Sequence, residues 1–175
     1  MDLGRRWELD RVGPDDWRRW SSVRLAALAD APEAFSSSLE VEEAFDEARW
    51  RQRLTGGPRV VARVLGGDVG LVGAHLGDGP DRPQLYGLWV HPVWRGTGLA
   101  DALVVEVLTW ARETGHDHVG LWVMDGNDGA RRLYDRHGFR RDREPATPPP
   151  GSCEVFLRRD LVAPRTADRT VAGDG

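Results

Sequence analysis

Along the chain the spacing of apolar residues changes period several times, and each change marks an element. The stretch "WELDRV" reads as a short first strand. Pro14 then opens a helix over "DDWRRWSSVRLAALADA", in which Trp17, Trp20, Ala27, Leu28 and Ala31 recur at helical spacing. "APEAF" breaks that helix. A second is expected over "LEVEEAFDEARWRQRL", with Val41, Ala44, Phe45 and Ala48 on one face and Gly56-Gly57-Pro58 as its end.

The pattern then shortens to strands. "RVVARVL", a turn at Gly66-Gly67-Asp68 and "VGLVGAHL" predict a hairpin from β-propensity and turn chemistry. After the turn "GDGPDRP" comes the strand "QLYGLWVHP", stopped by Pro92. Helical spacing returns with Leu99, Leu103, Val107, Trp110 and Ala111, and Gly115 ends it. "HVGLWVM" predicts a strand, "NDGARRLYDRH" a short helix closed by Gly138, and "SCEVFLRRDL" a last strand. An antiparallel meander followed by strand–helix–strand crossovers argues for an α/β chain of the mixed kind, with a mixed sheet and helices on both faces. The expectation is one domain over residues 1–161, with residues 162–175, polar and rich in Ala, Gly and Thr, as a frayed tail.

Composition narrows the partners. The 175 residues carry a net charge of −4 without a long basic block, so nucleic acid is not expected. Every cation other than histidine is arginine, which excludes Schiff-base and P-loop lysines. No CxxC or paired-His spacing suggests a metal. Cys153 alternates with Val155 and Leu157, which favours a small core residue over a reactive thiol. The N-terminus lacks a signal-peptide run and no stretch is long enough to span a bilayer, so the expected setting is cytoplasmic and away from membranes.

One stretch, "VWRGTGLADALV" at residues 93–104, combines an arginine, two glycines and the start of a helix. It lacks the Gly-Lys-Ser/Thr of a P-loop, and Asp101 stands where a Rossmann fingerprint needs its third glycine. What remains is strand, Arg95-Gly96-Thr97-Gly98-Leu99-Ala100, helix. Backbone amides at a helix N-terminus favour a pyrophosphate or similar anion, and glycine permits close approach. On spacing alone, a phosphate loop and a structural turn are both open.

Farther on, "LWVMDGNDGARRLYDRHGF" at residues 121–139 gives a strand, Asn127, then Ala130, Leu133, Tyr134 and Gly138-Phe139. Together the two segments resemble the GNAT superfamily of N-acetyltransferases. Its acyl-CoA motif, Arg/Gln-x-x-Gly-x-Gly/Ala, is met by Arg95, Gly98 and Ala100, and its later Asn-x-x-Ala-x-x-Leu-Tyr motif at each named position. The resemblance is specific from about residue 58 to 143 and looser over residues 14–56.

The resemblance implies acetyl-CoA as acyl donor, no metal, and a GNAT-like, mostly antiparallel mixed sheet with a splayed parallel strand pair. It places the pyrophosphate on the amides of Arg95, Gly96, Thr97, Gly98, Leu99 and Ala100, and the pantetheine arm along Leu88, Trp89 and Val90. Gly87 lies where the family often carries a bulge, though a glycine tolerated on a buried strand explains it equally. Asn127 caps its helix by its own chemistry, and the resemblance also sets it against the cofactor. Tyr134, two turns on, is a core residue by pattern and a general acid for the leaving thiolate by resemblance.

The central strand has no glutamate to act as base. His75, Tyr86 and His91 are the titratable groups nearby, with alternation placing His91 on the face opposite Tyr86. Glu40, Glu42, Glu43, Asp46 and Glu47 form either a solvated helix face or a rim attracting a polyamine, aminoglycoside or basic peptide terminus. The expected function is acetyl transfer to a primary amine, with a non-catalytic acyl-CoA-binding or regulatory domain as the rival. The expected partner is the amine acceptor, and a homodimer stays open.

Overall fold

The computed structural model describes residues 7–77, 82–142 and 153–161. The chain runs β1 (Glu8–Arg11), α1 (Trp17–Asp30), α2 (Leu39–Glu43), α3 (Glu47–Arg53), β2 (Arg59–Val64), β3 (Gly67–Leu76) and β4 (Pro83–Val90). It continues with α4 (Leu99–Glu113), β5 (His118–Met124), α5 (Asp128–Arg136), β6 (Arg140–Arg141) and β7 (Glu154–Asp160). Seven strands form one sheet in the order β1-β2-β3-β4-β5-β7-β6. Every pairing is antiparallel except β4 with β5, which is parallel.

Strand alternation divides the core into two layers. Val60, Val72, Leu85 and Val90 point to the layer of α4 and α5, where Leu99, Leu103, Val107 and Leu133 pack. Val61, Leu71 and Trp89 point the other way, onto Trp20, Val23 and Ala27 of α1 and Trp50 of α3. Helices therefore cover both faces, as the pattern implied.

The parallel pair meets only briefly. Gln84 registers with Gly120, and no further pair is formed toward Val90 and Met124. The strands separate there, giving the expected splay. On its other side β4 pairs with β3 through Leu71↔Trp89 and Gly73↔Tyr86, so β4 holds one residue more than its partner between these pairs. Gly87, at φ +69°, sits in this bulge, in the left-handed region that glycine enters without a Cβ penalty. The extra residue reverses the alternation, so Tyr86 and Trp89 both face α1. His91 follows them: its ring lies 5.9 Å from that of Trp89. The expectation that His91 and Tyr86 lie on opposite faces is corrected by this bulge.

Three other expectations change. The second helix is two, because Asp46 accepts the Arg49 N–H at 2.8 Å and starts a new one. Its inward residues are Glu42 and Trp50, while Val41, Ala44 and Ala48 are exposed. The hairpin turns at Leu65-Gly66, both at positive φ, and Gly67 already pairs with Val64. Cys153 is exposed just ahead of β7, not in the core, because the buried alternation starts only at Val155. β6 is a short strand that the pattern did not reveal. The tail at 162–175 lies outside the described residues.

Candidate functional site

A cleft of about 590 Å³ opens where β4 and β5 part. Leu88, Trp89 and Val90 line it from β4, Arg95, Gly96, Gly98 and Ala100 from the glycine loop, and Gly129, Arg132 and Tyr134 from α5. Eight of the sequence-derived residues thus converge, although Leu88 and Tyr134 lie on elements far apart in the sequence.

The loop is built from its glycines. Gly96 and Gly98 take φ +75° and +89°, and Gly98 is the N-cap of α4. A Cβ built on Gly96 would meet nothing within 4 Å, so the backbone here lies open. The Gly98 carbonyl accepts the first helical bond, from Ala102 N–H at 3.1 Å. Amides of the first helical turn before it have no acceptor within the helix, and the helix dipole adds positive potential at this end. Thr97 donates its hydroxyl to the Trp94 carbonyl at 2.7 Å, and Leu99 turns its side chain into the core; neither lines the cleft.

Arg95 anchors the loop. Its Nε donates to the Val90 carbonyl at 3.0 Å, and its guanidinium also pairs with Asp30 at the end of α1. The same Asp30 oxygen accepts Trp89 Nε1–H at 2.8 Å. The Trp89 hydrogen bond, together with Arg95, holds the Asp30 carboxyl below its usual pKa. His91 N–H donates to the Val69 carbonyl at 2.8 Å. Alternation then turns the N–H and C=O of Val90 away from β3, toward the gap. With its carbonyl held by Arg95, Val90 has an N–H to offer there.

Tyr134 is 6% exposed, its ring edge-on to Phe139 with centroids 5.7 Å apart. No group among the described residues hydrogen-bonds its hydroxyl. Burial pushes its pKa above the usual phenol range. Asn127 accepts Ala130 N–H at 3.1 Å and so caps α5. It does not line the cleft. The rim is cationic: Arg136 pairs with Asp101 at 3.1 Å beside His137 at 2.9 Å, while Arg132 has no ion pair among the described residues.

Sequence reasoning missed Gly129, Arg132 and Arg136. Their signal was present, since with Leu133 they recur at i, i+3, i+4 and i+7 on one helical face. Asp30 had no such signal, because its partners Trp89 and Arg95 lie 59 and 65 residues away. The acidic group is not one rim. Glu42 is fully buried, bonded twice by Arg24 at 2.8 and 3.0 Å, whereas Glu40, Glu43, Asp46 and Glu47 are exposed.

Comparison with known proteins follows the same lines. A mycothiol acetyltransferase of Nocardiopsis dassonvillei is 34% identical over 136 residues, 73% of this chain and 40% of the relative. The chain thus spans about two fifths of that protein's length. A GNAT-family acetyltransferase structure from Streptococcus pneumoniae superposes with a TM-score of 0.72 at 17% identity, over 89% of this chain and 99% of that one. A putative acetyltransferase from Salmonella typhimurium, solved with its cofactor acetyl-CoA, gives 0.68 at 17% identity over 93% and 98%. At these identities the likeness is one of fold. The acetyltransferase (GNAT) family model matches residues 22–139, from within α1 through the glycine loop to the end of the Tyr134 segment. This chain belongs to the GNAT family of acetyltransferases.

Proposed function

We propose that the protein transfers an acetyl group from acetyl-CoA to a primary amine, of a small molecule or a peptide N-terminus, by direct attack. One observation carries this reading: a single cleft joins the open glycine loop, the unpaired edge of β4 and the Tyr134 ring. The residues suit the donor, because amides and arginines collect where a pyrophosphate needs them and an extended backbone edge lies beside an apolar wall. Acetyl-CoA, when bound, supplies a thioester carbonyl and a thiolate leaving group. The amides of Arg95 to Ala100 hold the phosphates, with Arg132 at the rim. Leu88 to Val90 align the arm, and the Val90 N–H polarises the carbonyl oxygen. Tyr134 donates its phenol hydrogen to the departing sulfur. With its pKa raised, it stays a neutral donor throughout the physiological range. β4 carries no carboxylate, so the amine attacks as its free base, and the proton its nitrogen then sheds restores the Tyr134 phenol that protonated the sulfur.

Calorimetry with acetyl-CoA and a thiol-release screen over amines, amino acids and peptides test this reading. Binding without turnover of any amine would support the non-catalytic rival, and absence of binding would overturn both. Tyr134→Phe should bind acetyl-CoA within a few-fold of wild type and lose about 10²–10⁴ in kcat and in kcat/KM alike. Its stability should change by no more than about 1 kcal/mol, since the hydroxyl has no partner to lose among the described residues. The wild-type rate should show no alkaline loss from this phenol below about pH 10. Wild-type kcat in Tyr134→Phe at pH 7, with chemistry limiting, would return Tyr134 to the core.

A further inference from the structure

The α1 face of β4 holds more positive charge than its neighbours balance. Arg24 is 4% exposed and forms a two-pronged pair with Glu42 through Nε and Nη2. Arg53 reaches the same carboxylate at 3.5 Å. Arg59, also buried, stacks on the Tyr86 ring at 5.0 Å and spends its donors on the carbonyls of Arg53, Thr55, Pro58 and Ala74. Two guanidiniums thus share one carboxylate, Glu42, and a third, Arg59, lies on the Tyr86 ring beside them.

Arg24 Nη1 is buried with no hydrogen-bond partner among the described residues. A guanidinium N–H left so is costly, and in a native protein it calls for a partner. Nη1 lies over the bulge of β4. A Cβ built on Gly87 would meet Nη1 at 3.4 Å and Leu71 Cδ1 at 3.9 Å and nothing else within 4 Å among the described residues. Phe35 lies against the guanidinium, whose central carbon is 4.6 Å from the ring centroid. The next residue of β4, Leu88, already lines the cleft. Since α4 and α5 occupy the donor's side of the sheet, an acceptor must approach from the α1 side, where Nη1 is.

We propose that Arg24 Nη1, over Gly87, is a carboxylate seat of the acceptor site, and that the acceptor is a primary amine that also carries a carboxylate. The inference rests on the acetyltransferase reading above. Gly87 lies two to three residues from the Trp89–Val90 amides, roughly 7–10 Å along a strand. The two ends of the acceptor are therefore several bonds apart, as in a medium-length ω-amino acid or a dipeptide.

The test pairs acids with their primary amides: glycine, 4-aminobutyrate, 6-aminohexanoate and two dipeptides. At saturating acetyl-CoA, wild-type kcat/KM should favour the longer acids over their amides by roughly 10- to 100-fold, the range of a charge-assisted hydrogen bond to a buried guanidinium. Arg24→Met/Glu42→Leu removes the pair together, a replacement that folded proteins tolerate. In it the preference should fall below about threefold, while acetyl-CoA affinity by calorimetry stays within a few-fold. Thermal melts establish that this variant is folded, and titration of N-acetyl-6-aminohexanoate into CoA-loaded wild type reads the seat without turnover. Amides used as well as acids, or a preference that survives in the folded double variant, overturns the seat. So does a panel in which no acid is acetylated and the N-acetyl acid fails to bind. Failure of acetyl-CoA itself to bind defeats the parent reading instead.

Discussion

The two loop glycines serve conformation and access together, and a substitution there cannot separate them. At φ +89° any side chain on Gly98 is strained before a ligand arrives. Gly129 separates the two. It lines the same cleft with ordinary helical backbone, and a Cβ there would meet only Asn127 Oδ1 at 3.8 Å. Gly129→Leu should hold or raise stability, by up to about 1 kcal/mol from helix propensity. It should weaken acetyl-CoA binding at least tenfold by filling the cleft. Calorimetry showing wild-type affinity in this variant would move the donor out of the cleft. Asn127 illustrates how far residue identity reaches: the cap is a local matter that the sequence states, whereas contact with a ligand depends on where the helix end is carried.

Beyond the apolar core and the sheet, some elements are tied by ionic contacts that no local pattern announces. Asp30 ends α1, yet it holds the Trp89 indole and Arg95, and through Arg95 the end of β4 and the glycine loop. Asp30→Ala should cost about 1–3 kcal/mol, because the indole N–H loses its partner. It should also weaken acetyl-CoA several-fold as the loop loses its tie to α1. Asp30→Asn should recover part of the stability by accepting from Trp89. An unchanged dissociation constant in Asp30→Ala would show that the loop holds its pose without α1. The break between α2 and α3 is the opposite case. Asp46 is a strong N-cap residue in plain view, but the apolar spacing across it suggests one continuous helix, and the cap prevails.

For the whole molecule these contacts set the acid limit of stability. Burial alone would raise the Glu42 carboxyl, but the Arg24 hydrogen bonds and the charges of Arg24 and Arg53 outweigh it and hold it below its usual value. Asp30 is lowered as well, by Trp89 and Arg95, and burial of Asp101 is likewise outweighed by His137 and Arg136. A lowered folded pKa gives stability that is fully present above the unfolded value, about 4 for these groups, and lost as pH falls through the folded one. Melting temperature should therefore hold through neutral pH and drop below about pH 4–5. Glu42→Gln should cost about 3–5 kcal/mol at pH 7, since it leaves Arg24 buried without its charge partner. That gap should narrow as pH falls below about 4, where the unfolded chain takes up the proton that the folded carboxyl resists, and a gap constant with pH would remove Glu42 from the acid transition. The sequence by itself determined what is periodic or contiguous: the strands other than β6, α1, α4 and α5, the glycine loop, and the two motifs whose order gave the family. These follow from side-chain spacing and backbone conformation, which are local. The tertiary structure alone decided which face each side of β4 presents, because one bulged residue reverses every later position. It alone turned Glu42 from a surface charge into half of a buried pair and left Arg24 with a donor unmatched among the described residues. Such outcomes depend on groups brought together across the sheet, and their energies come from desolvation and pairing that sequence spacing does not encode.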